Sequence, residues 1–491
     1  MDTEYIFYTP EEAWDELRSR RRLYFDQYLA AFSGEHRQLT TTAIPGSFWR
    51  RKGKVKLHVP VAADIAATGA NLMFGEEPRF QIYDESKGDT EEGSQARLDA
   101  ILTGNQLNLK LHEAAENASA AGDVYLKCRY DKDNADMPVI DVVRAQFALP
   151  EYRLGQLMGI HFFTVLKKDR KTGKVWRVWE LYQRGRIQTA VYLGDSSTLG
   201  TEDEAMMGEI GLEDETTVPV DMLLAVHVVN MRPSRVWDTW DKGRSDFEGL
   251  RDLMDSLDEI YTSWLRDIRL AKSRLIVPAE FLRRNPSDLF HEGSYTYDFD
   301  EDVETLVALD IGGDGVEMKI TPSQFAIRAQ EHAATYESTL RTIISMAGYS
   351  PQSFGLDIEG KAQSGTARRM MERKSLATNA KKQAYWKGPL ETFLTAVMHL
   401  DKALYGNEKL CEDDSVRVEL HDPMTTDPAE VASAVNLLHS AQAASTETLI
   451  KMQHPDWTKK QLDEEKAAIF SEQGIAAPDD IDLKKGDGET A

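Results

Sequence analysis

The sequence predicts a multidomain α+β protein, and three observations carry that reading. The chain has 491 residues, too many for one compact core, so two to four domains are expected. A block with period-two alternation fills the latter part of the first half, from Asp123 to about Val229. Long stretches of helical periodicity follow it, separated by breaks rich in glycine, serine and proline.

Taken in order, residues 1–45 read as helical around Trp14, Leu17, Leu23 and Tyr28, with a basic knot at Arg18, Arg20, Arg21 and Arg22. Residues 59–74 carry an apolar stripe at Ile65, Leu72 and Met73, and Gly75 stands where glycine commonly closes a helix. PRFQIYD follows as a strand, and residues 106–121 as a helix ended by Gly122. VYLKCRY, PVIDVV, GIHFFTVLKK, VWRVWELYQ and IQTAVYL are short strands rich in β-branched and aromatic residues. KKDRKTGKVW joins two of them as a hairpin with Gly173 in its turn. The acidic stretch 195–216 is expected to be an exposed loop.

A long helix is predicted over 245–275. Leu250, Met254, Leu257, Tyr261, Trp264 and Ile268 alternate at spacings of four and three, an a/d-type seam for packing on other helices. About 30 residues span roughly 45 Å. Ser245 or Asp246 can cap its start, with Glu248 supporting the cap. A second helix covers 323–347. Between the two, residues 276–322 mix proline and glycine with strand signals such as SYTYDF and VETLVAL. Pro351 is expected to end the second helix. After a Gly/Ser/Pro-rich break at 348–365, a third long helix reaches about Tyr405, with a kink expected at Gly388-Pro389. VRVEL is a strand, and Asp427 to Phe470 a small helical unit.

Bulk chemistry narrows the function. The net charge is −24, the reverse of the basic footprint by which proteins grip phosphates, so the chain either avoids DNA or meets it without holding it. Two cysteines, Cys128 and Cys411, make neither a disulfide framework nor a zinc site. The acidic opening MDTEYIFYTPEEAW has no apolar h-region, so no signal peptide is expected, and no apolar run is long enough to span a bilayer. Enzyme signatures are missing: no GxxxxGK[ST] loop and no G-x-S-x-G elbow. HEAAE lacks the second histidine of a zincin, and DKDNAD lacks the glycine and glutamate of a calcium loop. The expectation is therefore no enzyme, no cofactor and no metal, with a carboxylate-based metal-dependent hydrolase as the remote alternative.

Five landmarks, in order, resemble the portal proteins of long-tailed, double-stranded DNA bacteriophages. They are NLMFGEEPRFQI at 71–82, ASAAGDVYLKCRYD at 118–131, GRSDFEGLRDLMDSLDEIYTSWLRDIR at 243–269, SFGLDIEGKAQSGTARRMM at 353–371, and VRVELHDPMTTDPAEVASAVNLLHSAQAASTETLI from Val416. The resemblance implies the portal fold. Residues 1–244 would be the N-terminal wing, 245–275 the first stem helix, 276–322 a small α/β clip, and 323–347 the second stem helix. Then come a tunnel loop at 348–365, the long kinked helix with the rest of the wing at 366–426, a helical crown at 427–472, and a mobile tail at 473–491. Another ring-forming head–tail connector or tail component is the alternative, against which the long-helix, insert, long-helix layout argues.

By the same resemblance the chain forms a ring, usually of twelve, at one capsid vertex of the virion after synthesis in the host cytoplasm. Double-stranded DNA passes through the channel without sequence-specific binding. Terminase and then a head-completion adaptor dock at the clip, and major capsid and scaffolding proteins surround the wing. Gln352, Phe354 and Lys361 become the tunnel-loop candidates facing DNA. DNA carries one charge per about 1.7 Å, and an acidic wall disfavours sticking. Candidate wall acids are Asp252, Asp255, Asp258, Glu259, Glu331 and Glu337, each of which also suits an ordinary solvated face. The basic run Arg368, Arg369, Arg373, Lys374, Lys381 and Lys382 could touch DNA or pair with a neighbour's acids. The second reading is preferred, because so acidic a chain needs opposite charge at its interfaces. Pro286, Phe290, Tyr295 and Tyr297 are candidates for clip docking, although strand-core packing is the preferred role for the tyrosines.

Overall fold

The structure, a computed structural model, describes residues 7–21, 57–83, 92–130, 135–236, 241–271, 274–278, 307–309, 321–323, 327–356, 365–406, 415–420, 428–454, 457 and 459–473. Helix and sheet are mixed throughout, as the sequence predicts. The chain divides into two compact units: Met1–Lys361 with Met371–Pro423, and Ala362–Met370 with Met424–Ala491.

In the first unit, helix α1 (Pro10–Arg20) starts on a capping box made by Thr9 and Glu12. Its Trp14 and Leu17 are buried in a core with Phe163, Trp179 and Leu181. Helices α2 (Val61–Phe74), α3 (Glu92–Gly104) and α4 (Leu107–Ala121) build the main core with the sheets. Gly122 closes α4 with φ +87°, a backbone angle glycine adopts without steric cost. Gly75 also follows a helix, but in right-handed geometry, so it is not a left-handed cap. Helix α3 is absent from the periodicity because it buries little more than Leu98 and Ile101.

Strand β1 (Arg79–Tyr83) pairs antiparallel with the far-distant strand 415–419, numbered β14 below. Both outer edges of this two-stranded ribbon are closed by side chains. Gln95 accepts from Ile82 N and donates to Phe80 O, each at 2.9 Å. On the other side, Val416 N donates to Thr395 and Val418 N to Glu391. Open backbone edges would otherwise invite pairing with another chain.

Strands β2 (Asp123–Arg129) and β3 (Val139–Arg144) form a three-stranded sheet with the strand Ala225–Val229 (β10) in the order β10-β2-β3. A six-stranded sheet contains β4 (Ala148–Arg153), β5 (Gln156–Lys168), β6 (Val175–Gln183), β7 (Arg186–Gly194) and β8 (Thr201–Glu202) in that order, with β9 (Glu215–Thr217) also on β7. Gly173 does sit in the β5–β6 turn, at φ +72°. The acidic stretch 195–216 is not a plain loop. It forms β8, a short helix α5 (Glu204–Glu209) and part of β9, and it buries Leu199 and Met207.

Two long helices, α6 (Arg251–Leu270) and α7 (Ala329–Ala347), run antiparallel: Tyr261 meets Tyr336, Trp264 stacks on His332, and Asp267 bonds Arg328 and His332. Both are shorter than expected. The first begins at Arg251 rather than Ser245, because Ser245 and Asp246 are bound elsewhere. The second begins at Ala329, since Thr321–Ser323 is a strand. Between them β11 (Arg274–Pro278) lies parallel to β12 (Val307–Leu309) and antiparallel to β13 (Thr321–Ser323). Gly348, at φ +102°, ends α7; Pro351 opens a short 3-10 turn beyond it rather than ending the helix. Helix α8 (Gly365–Tyr405) runs on through Pro389 and leads to β14 (Ser415–Glu419). The second unit holds α9 (Pro428–Ser440), α10 (Thr446–Gln453) and α11 (Lys459–Gln473).

Replacing Gln95 with Ala removes both edge-closing bonds of β1 and should cost about 1–2 kcal/mol in denaturant unfolding. A variant as stable as the wild type would show that the ribbon edge does not need this cover.

Candidate functional site

The helix pair α6–α7 and the long helix α8 join the α/β body at one buried polar knot. Its centre is Asp246, in the segment GRSDF that precedes α6. Asp246 Oδ2 accepts from Lys382 Nζ at 2.6 Å, Ser119 Oγ at 2.6 Å and Tyr349 Oη at 2.9 Å. Its Oδ1 accepts from Asn230 Nδ2 at 2.9 Å. Lys382 Nζ also donates to Tyr349 Oη at 2.8 Å. All five side chains are buried. They come from α4, the end of β10, the residues just after α7, and α8, so one carboxylate ties four separate stretches of chain together. An isolated buried carboxylate would be very costly, and here each oxygen is bonded and an ammonium is in contact.

The knot requires close approach. Gly69 on α2 lies against it, and a Cβ there would come within 2.5 Å of the Tyr349 hydroxyl. Burial, followed by the Asp246 charge and its bond, holds the Tyr349 phenol well above its usual pKa, so it stays a neutral donor.

A second knot lies beside the first. Asp123 Oδ1 accepts from Gly243 N at 2.8 Å and meets His227 Nε2 at 2.9 Å, while Tyr152 Oη meets His227 Nδ1 at 2.8 Å. Burial raises the Asp123 pKa, but Lys242, His227 and the Gly243 N–H together outweigh it and hold the group ionised. The carboxylate only accepts, so Nε2 carries the His227 proton and Nδ1 accepts from Tyr152. Burial keeps the His227 pKa below its usual value. Gly243 must be glycine: a Cβ would lie 1.9 Å from Gly122 O. Lys242, buried 3.9 Å from Asp123 Oδ2, is pushed down to about 8, chiefly by burial.

The chain around these knots is pinned by its backbone as well. Arg244 N donates to Met231 O, and Asp246 N to Ser119 O. Ser245 Oγ donates to Ala120 O and accepts from Phe247 N. Glu248 accepts from Ser234 and from Arg235 N. Hence none of Ser245, Asp246 and Glu248 caps α6, whose N-cap Leu250 has no side-chain bond. What read as a helix cap is the root of the helix pair.

The sequence candidates divide accordingly. Leu250, Met254 and Leu257 are buried in their own chain, Tyr261 and Trp264 are half-buried against α7, and Ile268 is exposed. Asp252, Glu259, Glu331 and Glu337 are exposed, and Asp255 is half-buried. Asp258 is no wall acid. It is buried, accepts from Val59 N at 2.8 Å and pairs with His58 at 2.9 Å, pinning residues 58–59 against α6. Lys382 is likewise corrected: its charge is spent inside the subunit on Asp246 and faces neither DNA nor a neighbour. Arg373, Lys374 and Lys381 are exposed; Lys374 bonds Ser345 and Lys381 bonds Arg232 O. Arg368 and Arg369 lie in α8 where the backbone alone is described. Gln352 and Phe354 are half-buried in the turn after α7, with Phe354 edge-on to Tyr349. Lys361, Pro286, Phe290, Tyr295 and Tyr297 lie outside the described residues. Sequence reasoning singled out GRSD as a landmark but missed its partners Ser119, Asn230 and Tyr349, and the Asp123–His227–Tyr152 relay.

A mixed helix-and-sheet body with a long antiparallel helix pair set on a buried ionic root defines a multidomain α+β class of protein. Residues 43–478 match the family described as phage portal protein, SPP1 Gp6-like, and the chain belongs to that family. No curated protein matches the sequence. Among solved structures, the chain is similar to one from the neck of an empty gene transfer agent (GTA) particle computed with C6 symmetry. Identity is 12%, with 89% of this chain and 98% of that one covered, and the TM-score is 0.44. A chain from the virion of a native GTA particle gives 12%, 86%, 98% and 0.43 in the same order. One from the neck of a native GTA particle computed with C12 symmetry gives 12%, 80%, 88% and 0.42.

Lys382→Met should cost about 3–5 kcal/mol in denaturant unfolding, because it leaves Asp246 buried without its cation. Adding Asp246→Asn should recover part of that loss; strictly additive losses would show the two groups to be uncoupled. Lys242 gives a pH test. Its folded pKa of about 8 lies below the unfolded value of 10.5, so the unfolded chain binds more protons between these values. The contribution of this group therefore rises with pH across that window, by roughly 1–3 kcal/mol. The stability difference between wild type and Lys242→Met should shift in favour of the wild type from pH 8 to 10. A pH-independent difference would contradict the burial of this ammonium.

Proposed function

We propose that the chain is one subunit of a closed ring, twelve copies at a single capsid vertex, whose channel passes double-stranded DNA during packaging and ejection. The match to the phage portal family over residues 43–478 is the observation that carries this reading. The net charge of −24 per chain supports it, since an acidic ring disfavours adhesion of DNA at close range. The exposed acids Asp252, Glu259, Glu331 and Glu337 on the helix pair are the proposed wall groups, and Gln352, Phe354 and Lys361 the proposed narrow-point groups. The role is structural rather than catalytic. Terminase and a head-completion adaptor would dock at 276–322, and coat and scaffolding proteins would meet the α/β body.

Native mass with electron micrographs of the same fraction tests the ring. A species near 665 kDa, twelve times 55.4 kDa, with ring-shaped end views is expected. A chain that stays monomeric even with its coat and scaffolding partners present would overturn the proposal.

A further inference from the structure

Helix α8 carries an exposed basic face. Arg373, Lys374, Lys381 and Lys387 are exposed along it, spanning roughly 21 Å. Among the described residues, Arg373, Lys374 and Lys381 have no carboxylate of their own chain within ion-pair distance, and Lys387 has Glu391 at 4.0 Å. The strip between these cations is lined by the exposed small residues Ala377, Ala380 and Ala384, so another surface can approach closely.

The same unit displays a surface of opposite character. The fold of residues 201–215 on β7 exposes Glu202, Glu204, Glu209, Glu213, Asp214 and Glu215, none with a cationic partner among the described residues. In their midst Ile210 and Leu212 are exposed at 36% and 40%. This is a folded knob, held by the buried Leu199 and Met207 and by Asp203, which caps α5 and bonds Trp176. An apolar tip among acids is opposite in charge to an alanine-lined strip among cations, and both offer an apolar centre.

We propose that the acidic knob of one copy docks on the basic face of α8 in the next copy, with Ile210 and Leu212 set on Ala377, Ala380 and Ala384. Joining two different faces of one chain gives a head-to-tail interface, the kind that closes into rings. It also removes an obstacle to assembly, because unpatterned contact between chains of net charge −24 would be repulsive. The proposal rests on the ring reading, and its test is arranged so that the two can fail separately.

Two full-length variants carry the test. One reverses the knob (Glu209→Lys, Glu213→Lys, Glu215→Lys). The other reverses the strip (Arg373→Glu, Lys387→Glu), with Lys381 kept because it bonds Arg232 O. Ring yield is read by native mass and micrographs at about 0.15 M salt, where exposed charges further apart than about 8 Å are screened. Each variant alone should give less than about a tenth of the wild-type rings. An equimolar mixture should assemble, because each altered face then meets its opposite and the two chains alternate around the ring.

Either variant assembling alone like the wild type overturns the inference, as does a mixture of folded variants that forms no rings. Rings of normal yield with weakened DNA binding in the strip variant would assign that face to DNA, again overturning it. If the wild type forms no ring with its partners present, the ring reading itself falls. A second measurement does not rely on charge: Leu212→Cys with Ala380→Cys should give a ladder of disulfide-linked copies on oxidation, absent from either single variant. No ladder would refute the contact.

Discussion

The contact between Lys382 and Asp246 is the constraint on which the rest of the unit depends. Long helices that project from a body need a root, because the apolar seam between α6 and α7 fixes the two to each other but not to the sheets. Asp246 supplies that root. It binds Ser119 at the end of α4, Asn230 beyond β10, Tyr349 beyond α7 and Lys382 on α8. A purely apolar joint would tolerate sliding and rotation, whereas a carboxylate with four directed bonds accepts one arrangement. The adjoining Asp123 knot repeats the solution at the backbone of Gly243, where no side chain could fit.

This arrangement suits a member of the portal family. A subunit that must hold its place in an assembly benefits from charges satisfied inside its own fold, leaving outward charges for neighbours. Lys382 and Asp258 illustrate the first kind, each committed to an internal partner. The cations of α8 and the carboxylates of the 201–215 knob are exposed, as the proposed contact between copies requires. The same helix thus presents Lys382 inward to its own body and Lys374, Lys381 and Lys387 outward.

Much of the fold was legible from local patterning. VWRVWELYQ is strand β6 residue for residue, and the alternation of apolar positions at four and three located the first long helix. The glycine at 122 ended its helix for the expected steric reason. The errors share a cause. Ser245 and Asp246 have the chemistry of a helix cap, so proximity in sequence favoured that role, but partners 100 or more residues away bind them more completely. The acidic stretch 195–216 looked like loop because its two buried side chains, Leu199 and Met207, are too few to set up a period. Asp258 and Lys382 read as surface charges because burial of a charge is decided by what lies opposite it.

By itself, the sequence determined the order of the long helices and main strands, the acidity of the chain and the family, because these depend on local periodicity, composition and motifs in sequence order. The tertiary structure alone decided which charges turn inward, that GRSDF is a root rather than a cap, and that Gly69 and Gly243 stand where neighbouring atoms leave no room for a Cβ. Those outcomes depend on distances between residues remote in sequence, and a single chain of letters carries no direct record of such distances.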